Sequence, residues 1–156
     1  MGKNQHTSHL LFLLLVALPL SMRAEWFLDP DTGCAVWGEH PQPIVKIHWS
    51  GECVDGKASG MGLMEVFIDD LPFSTYEGEY REGKAEGYGV LKTPGEGRYE
   101  GEFKNNNLDG HGVIISSDGK RMEGNYVNGL PHGTMVITSP DGTKMDMEFE
   151  HGKRVK

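Results

Sequence analysis

The sequence has little material for a deep hydrophobic core. Apolar residues make up 37% of its 156 residues, glycine accounts for 22 of them, and long aliphatic runs are few beyond the N-terminus. A chain of this composition suits an elongated, single-layer architecture better than a compact domain. We therefore expect a fold in which neighbouring elements stabilise one another along an array.

Positive charge is also scarce. The chain has 15 Lys and Arg against 23 Asp and Glu, which gives a formal net charge of −8. Loss of Lys3 and Arg23 with an N-terminal leader would make this about −10. Because an acidic protein repels polyanions at long range, we expect no nucleic-acid partner, and binding to membrane lipid is possible but disfavoured. Sedimentation with liposomes at low and high salt would test the lipid alternative.

Recognisable catalytic motifs are missing. The sequence contains no Gly-x-Ser-x-Gly, no His-Glu-x-x-His and no cysteine with an obvious histidine partner. We expect a protein that is not an enzyme and has no cofactor. Glu79 and Glu102 recur in step, so an envelope hydrolase with paired carboxylates stays as the least favoured alternative. A solvated strand face would tolerate their joint substitution, whereas a catalytic pair would lose all activity.

The N-terminus is typical of an export signal. Lys3 precedes an apolar run from Leu10 to Leu20, which is too short to span a membrane, and Ala24 offers a small residue for cleavage. We predict a signal peptide over residues 1–24, cleavage near Ala24, and a periplasmic or extracellular location. Met22 stands where a small residue is preferred, so a leader retained as an anchor is the alternative.

Only two cysteines are present, Cys34 and Cys53. In an oxidising compartment an even count favours a disulfide, and closing a loop of this size stabilises a fold by about 3 kcal/mol. We predict a Cys34–Cys53 bridge. Two reduced, buried thiols would be preferred if the leader were not functional. No metal site is expected, because the spacing matches no zinc pattern.

A 23-residue period organises the rest of the chain. It relates three sets of residues: Gly78, Gly101 and Gly124; Gly87, Gly110 and Gly133; Tyr80, Phe103, Tyr126 and Phe149. Aromatic and charged residues alternate over 76–80, as in a strand with one packed face. Tight turns are predicted at Gly83, Asn106, Gly129 and Gly152. The prediction is an all-β, elongated single-layer array of β-hairpins over residues 49–156, preceded by a disulfide-stapled capping segment over 25–48.

The repeated pattern Tyr-x-Gly-x-aromatic, followed by Gly-Lys and Gly-x-Gly, resembles the MORN repeat. The units starting at Tyr76 and Tyr99 match best, and the resemblance extends from about Trp49 to Arg154. The segment around Cys34, Trp37 and Pro41-Gln42-Pro43 is similar to the lead-in of exported bacterial MORN proteins, and its prolines would blunt a sheet edge. The resemblance implies scaffolding, self-association or, more contentiously, binding of membrane lipids.

The interior glycines predict close approach by another group, and we expect each to accommodate an aromatic ring from a neighbouring unit. The resulting aromatic stripe is the candidate site. It comprises Tyr76, Tyr80, Tyr88, Tyr99, Phe103, His111 and Tyr126. The hypothesis is an exported repeat module that binds or scaffolds a protein partner through these rings. If the rings serve packing instead, the charged face or a sheet edge becomes the contact surface. A lipid- or glycan-binding envelope protein is the alternative.

Self-association is a second expectation for partners. Met145, Met147, Phe149 and Val155 would leave an apolar edge at the end of the array. His111, His132 and His151 are predicted to be solvated loop histidines rather than a metal site or proton relay, since their repeat positions differ. Met122, Met135, Met145 and Met147 are interpreted as packing residues rather than a soft-metal site.

Overall fold

A computed structural model describes residues 23–40 and 45–155. These residues form thirteen β-strands and contain no helix, so none of their elements is a helix that could span a membrane. The strands are β1 (Arg23–Leu28), β2 (Ala35–His40), β3 (Val45–Trp49), β4 (Glu52–Val54), β5 (Lys57–Ile68), β6 (Leu71–Arg81), β7 (Lys84–Thr93), β8 (Gly97–Lys104), β9 (Asn107–Ser116), β10 (Arg121–Val127), β11 (Leu130–Thr138), β12 (Lys144–Glu150) and β13 (Lys153–Arg154). The all-β hairpin array predicted from the sequence is confirmed.

The strands belong to one open sheet that follows the order of the chain from β5 to β13. Each of these strands pairs antiparallel with the next. β3 and β4 both pair with β5 and together provide the first strand of the first hairpin, while β2 joins β5 by one parallel pair. Successive hairpins therefore stack side by side, as expected for a repeat protein.

Tight turns join the two strands of each unit at the predicted positions. Two consecutive residues with positive φ occur at each turn, as in type I′ hairpins. They are Asp55-Gly56, Glu82-Gly83, Asn105-Asn106, Asn128-Gly129 and His151-Gly152. Each later turn also bonds to the preceding unit: the amides of Gly83, Asn106, Gly129 and Gly152 donate to the carbonyl oxygens of Ala58, Ala85, Leu108 and Pro131 at 2.8–3.1 Å. These bonds connect successive units at their turns.

The cap hairpin, β1 and β2, is held against the first units by several long-range contacts. The predicted Cys34–Cys53 disulfide is confirmed, with a Cα–Cα distance of 5.7 Å. The amides of Ala35 and Trp37 each donate to a turn carbonyl, that of Gly56 and Gly83 respectively, at 2.8 Å. Trp37 O in turn accepts from Asn106 Nδ2 at 3.0 Å. The cap hairpin thus bonds to the turns of three successive units.

Asp29 anchors the turn of the cap hairpin. Its side chain is fully buried. Oδ2 accepts from the Trp49 amide at 2.8 Å, and Oδ1 accepts from the Asp31 amide at 2.8 Å. Burial alone would raise the pKa of Asp29, but the hydrogen bonds from the amides of Trp49, Asp31 and Thr32 outweigh it and hold that pKa below its usual value. The carboxylate therefore ties the cap to the first repeat in its charged form.

Two sequence predictions concern residues outside the described ranges. The leader predicted over 1–24 is one of them, apart from Arg23 and Ala24, which open β1. The edge-blunting Pro41-Gln42-Pro43 is the other. The first hairpin starts at Val45 in β3, four residues before the predicted start of the array.

Candidate binding surfaces

Aromatic side chains on one face of the sheet, the inner face, form a continuous chain of ring contacts, which are edge-to-face except for the tilted Trp49–Tyr80 pair. Neighbouring ring centroids lie 4.8–5.7 Å apart in the order Trp49, Tyr80, Tyr76, Phe103, Tyr99, Tyr126. All six side chains are at most 5% exposed. Edge-to-face packing of this kind adds stabilisation beyond the burial of apolar area. The aromatic chain is therefore the core of the array.

The first aromatic ring of a unit, which we call the leading ring, lies over a pair of glycines that face one another across the two strands of the same hairpin. Gly78 pairs with Gly89, and a Cβ added to either would lie within 2.8 Å of the Tyr76 side chain. Tyr99 covers Gly101 and Gly112 in the same way. The prediction that each glycine accommodates a ring from a neighbouring unit was therefore wrong. Each tyrosine side chain instead extends along its own strand and covers the glycine two residues further on.

The first unit uses tryptophan at the same position. Trp49 Nε1 donates to Glu52 O at 2.8 Å, and Tyr76 and Tyr99 hydroxyls donate to the carbonyls three residues later at 3.4 Å. Trp49 also covers Gly62, at 2.7 Å from an added Cβ to Cζ2. The polar atom of each leading ring therefore bonds within its own unit.

The predicted aromatic binding stripe needs correction for five of its seven residues. Tyr76, Tyr80, Tyr99, Phe103 and Tyr126 are buried in the core, so a partner cannot contact them without unfolding the array. Burial also raises the pKa of the four tyrosine hydroxyls. Packing, the alternative use of these rings, is what the structure supports. The alternating pattern located one apolar face but could not tell whether that face was open.

Tyr88 and His111 lie on the opposite, outer face and are exposed, Tyr88 by 58%. Each follows a glycine with positive φ, Gly87 and Gly110, where the pairing of the hairpin shifts register. The bulge turns the next side chain away from the core. Met61 occupies the corresponding position of the first unit and is 67% exposed. In the sequence, this surface was signalled by the residue that directly follows Gly87, Gly110 and their equivalent in the first unit.

Carboxylates alternate with these exposed side chains along the outer face. The cross-strand pairs are Met61 with Glu79 and Tyr88 with Glu102. We define the outer row as Met61, Glu79, Tyr88, Glu102 and His111, which lie on consecutive strands from β5 to β9. After His111 the row continues with Asn125, so the carboxylate pattern is interrupted there.

A second band of charges runs beside the outer row. Glu77, Glu100, Glu123 and Asp146 alternate across the strands with Val90, Val113 and Val136. Arg98 and Arg121 form ion pairs with Glu100 and Glu123 along their own strands. The hydrogen bond from Arg121 lowers the pKa of Glu123. These pairs balance Glu100 and Glu123, whereas Glu77 and Asp146 have no ion pair among the described residues.

A shallow cavity of about 460 Å³ lies at the far end of the same face. Its lining is formed by Thr75, Lys92, Thr93, Pro94, Gly97, Arg98, Ile115 and Ser116. Lys92 and Arg98 face each other across β7 and β8. Because Arg98 is already paired with Glu100, the cavity offers one cation without a described partner carboxylate.

Two histidine clusters were not predicted. His48 Nδ1 lies 3.4 Å from Asp29 Oδ2 and 3.9 Å from Asp31 Oδ2, at the cap. The Asp29 oxygens already accept backbone hydrogen bonds, so this group is explained as a structural contact. The rings of His132 and His151 lie 5.1 Å apart, and His132 Nδ1 is buried without a hydrogen-bond partner. His111 stands apart from both.

The last full strand, β12, has an open edge. β13 pairs only with its end, at Phe149 and Glu150, and the Val155 amide donates to Glu148 O at 2.8 Å. Among the described residues no strand covers Lys144 to Met147, whereas the corresponding segments of β8 and β10 pair with β9 and β11. Met145 is 51% exposed. An unpaired strand of this kind is a template for another strand.

The stacked hairpins and their shared ring-over-glycine packing define a β-hairpin repeat array. Residues 76–98, 99–121 and 123–144 each match the MORN repeat family. Residues 76–144 thus consist of three MORN repeats, which confirms the resemblance for this segment. The first hairpin, from Val45, and the last, from Met145, lie outside the matched residues. A comparison with curated proteins finds no significant match.

Proposed function

We propose that the chain is an exported, non-enzymatic scaffold that binds protein by strand addition at the open edge of β12, where a second copy of the chain is its partner. The uncovered backbone of Lys144 to Met147 carries this proposal. Export is supported by the predicted leader and by the Cys34–Cys53 disulfide, a bond typical of oxidising compartments.

A role without catalysis is supported by the repeat family and by the position of the candidate acids. Glu79 and Glu102 lie on β6 and β8, with β7 between them. Two strand spacings place their backbones about 9.6 Å apart. Each also faces the bulge glycine of its own unit, Gly87 or Gly110. These carboxylates thus occupy one repeated surface position rather than a shared pocket.

The register of self-pairing follows from the hydrogen bonds of β12. Glu148 and Glu150 direct their backbone groups toward β13, so Lys144 and Asp146 direct theirs toward the open edge. Two antiparallel copies centred on Met145 then place Lys144 opposite Asp146 of the second copy, twice. Centring on Asp146 would need Glu148 O, which already accepts from Val155, and would place two aspartates opposite each other.

Charge substitutions test this register. Lys144→Asp or Asp146→Lys alone places like charges opposite each other at both symmetric positions, so each should weaken dimerisation about tenfold. The double variant Lys144→Asp/Asp146→Lys should restore it. An equimolar mixture of the two single variants should also associate, because every opposing pair is then attractive. Light scattering after size-exclusion chromatography, over a concentration series, gives the mass.

Two results would remove the self-pairing proposal. One is a wild-type chain that remains a monomer at high micromolar concentration. The other is association of the single variants as strong as that of the wild type. Failure of the mixture to associate, with wild-type dimers present, would place the interface elsewhere.

A further inference from the structure

The outer row combines exposed apolar side chains with carboxylates at regular intervals. Met61 and Tyr88 are 67% and 58% exposed, and His111 is exposed as well. Glu79 and Glu102 lie between them on the intervening strands. Glu102 is exposed, Glu79 is half-buried, and none of the five side chains belongs to the core. The row is therefore a surface open to a partner.

Three carboxylates of the outer face lie around Tyr88. Its hydroxyl donates to Glu100 Oε1 at 2.8 Å, and Glu102 is its cross-strand partner. On the other side, Glu79 Oε2 lies 2.9 Å from a Cβ added to Gly87. Glu100 and Glu79 are each shared with an arginine of the chain, Arg98 and Arg81, whereas Glu102 has no ion pair among the described residues. A cation placed over the phenol ring is attracted by the ring face and by Glu102, with Glu79 and Glu100 adding to the negative field. The chemistry of this position suits a lysine or arginine side chain.

The spacing of the row selects the conformation of the ligand. Neighbouring strands lie about 4.8 Å apart, so side chains of the same kind recur about every 9.6 Å. Three residues of polyproline II span about 9.3 Å, which keeps every third side chain in step with the row. In an extended β-strand, side chains on one face recur about every 6.7 Å, so the second one already fails to match the spacing of the row. A heptad of α-helix, at about 10.5 Å, drifts by about 1 Å per unit.

We propose that the outer row binds a basic segment of a partner protein in the polyproline II conformation, with Lys or Arg at every third residue. Its cations lie beside Glu79 and Glu102, and its proline rings pack on Met61 and Tyr88. The net charge of −8 favours the encounter with such a segment. The inference rests on the proposed scaffold function, since it names the chemistry of a partner, but it uses a surface distinct from the β12 edge.

Two peptides of equal composition test the spacing. One contains four Lys-Pro-Pro repeats, and the other has four consecutive lysines followed by eight prolines. Fluorescence anisotropy of each labelled peptide with the full chain, at low ionic strength, gives the dissociation constants. The repeated peptide should bind at least about fivefold more tightly, because only its lysines recur at the spacing of the row.

Matched variants test the residues. Glu79→Gln/Glu102→Gln should weaken the repeated peptide about tenfold, and Tyr88→Ala about fivefold. Glu82→Gln/Glu96→Gln removes the same charge from exposed turns outside the row and should change binding less than about twofold. Equal affinity of the two peptides, equal losses in the two double variants, or no binding would each overturn the inference.

The variant Lys144→Asp separates this inference from the proposed edge pairing. Peptide binding retained in a variant that no longer dimerises supports the outer row independently. Dimerisation without peptide binding in the wild type would overturn the outer row and leave edge pairing standing.

Discussion

The two ends of the array use the same repeat but stabilise it differently. At the N-terminal end, the disulfide, Asp29 and the bonds of the cap hairpin reach three successive turns. At the C-terminal end no comparable contact occurs among the described residues, and β12 has an open edge. In a repeat array each unit depends on its neighbours, so unequal ends produce unequal local stability. A capped end suits a fixed structure, and an open end suits assembly.

Hydrogen bonds between successive units are also fewer toward the C-terminal end. Glu86 and Asp109 each accept a hydrogen bond from the turn of the next unit, from Asn105 N at 3.0 Å and from Asn128 N at 3.1 Å. His132 takes the equivalent place in the following unit, and its buried Nδ1 has no partner. Tyr126 Oη is also buried without a partner. Unsatisfied buried groups cost stability, so the repeat weakens toward the open end.

The largest effect is expected at a glycine under a rigid ring of the capped end. Gly89→Ala would place a Cβ 2.7 Å from Tyr76 Cε2, and Tyr76 is only 2% exposed. We expect the free energy of unfolding to fall by about 3 kcal/mol. Gly142→Ala is the control, since nothing lies within 4 Å of that site and only its positive φ opposes alanine, at about 1 kcal/mol. Equal losses in urea unfolding would contradict the packing of Tyr76.

Removing the charge that ties the cap to the array should have the next largest effect. Asp29→Asn should cost about 2 kcal/mol at neutral pH, because it replaces an acceptor of backbone N–H groups. The folded pKa of Asp29 is lowered, so its stabilisation is present above the usual aspartate pKa and is lost as pH falls through the lower, folded value. The difference in unfolding free energy between wild type and variant should therefore shrink toward pH 3. A difference independent of pH would contradict this role.

Restoring the regular packing at the open end should give a smaller, coupled effect. Met122 stands where the other units have the leading ring, and Met135 stands where they have the covered glycine of the second strand, Gly89 or Gly112. Met135 is fully buried against Gly124. Met135→Gly alone leaves a cavity, and Met122→Tyr alone crowds Met135. Together they recreate the ring over a glycine pair, so the double-mutant cycle should show a favourable coupling of about 1–2 kcal/mol. Additive losses would mean that the open end cannot adopt the regular packing.

The smallest effect is expected where one turn bonds to the cap hairpin. Asn106 Nδ2 donates to Trp37 O at 3.0 Å, and its Oδ1 accepts from the Ala85 amide at 2.7 Å. Asn106→Gly keeps the positive φ but removes both bonds, for a net loss of about 1 kcal/mol. Gly129→Asn, at the uncapped end, should gain no such stabilisation. Hydrogen exchange should show faster exchange of the Ala85 amide in Asn106→Gly only.

The local features of the fold were accessible to sequence reasoning. The alternation around Tyr76 and the spacing of Gly83 and Gly129 predicted hairpins and turns, because strand alternation and positive φ are properties of a few adjacent residues. The use of the aromatic rings was not accessible. Burial of Tyr99 depends in part on the ring of Tyr126, 27 residues away, and the bulge at Gly87 that exposes Tyr88 appears only when two strands are paired.

The sequence by itself determined the repeat, the hairpin and turn positions and the partner of Cys34, since period, backbone conformation and cysteine number suffice for these. Only the tertiary structure decided which face became the core, and that Asp29 and Asn106 would bond to Trp49 and Trp37, 20 and 69 residues away. Such contacts have no local pattern, because the Asp29 carboxylate and the Asn106 amide meet their hydrogen-bond partners only after the units have stacked. The same stacking left Tyr88 on the outer face and β12 without a neighbour.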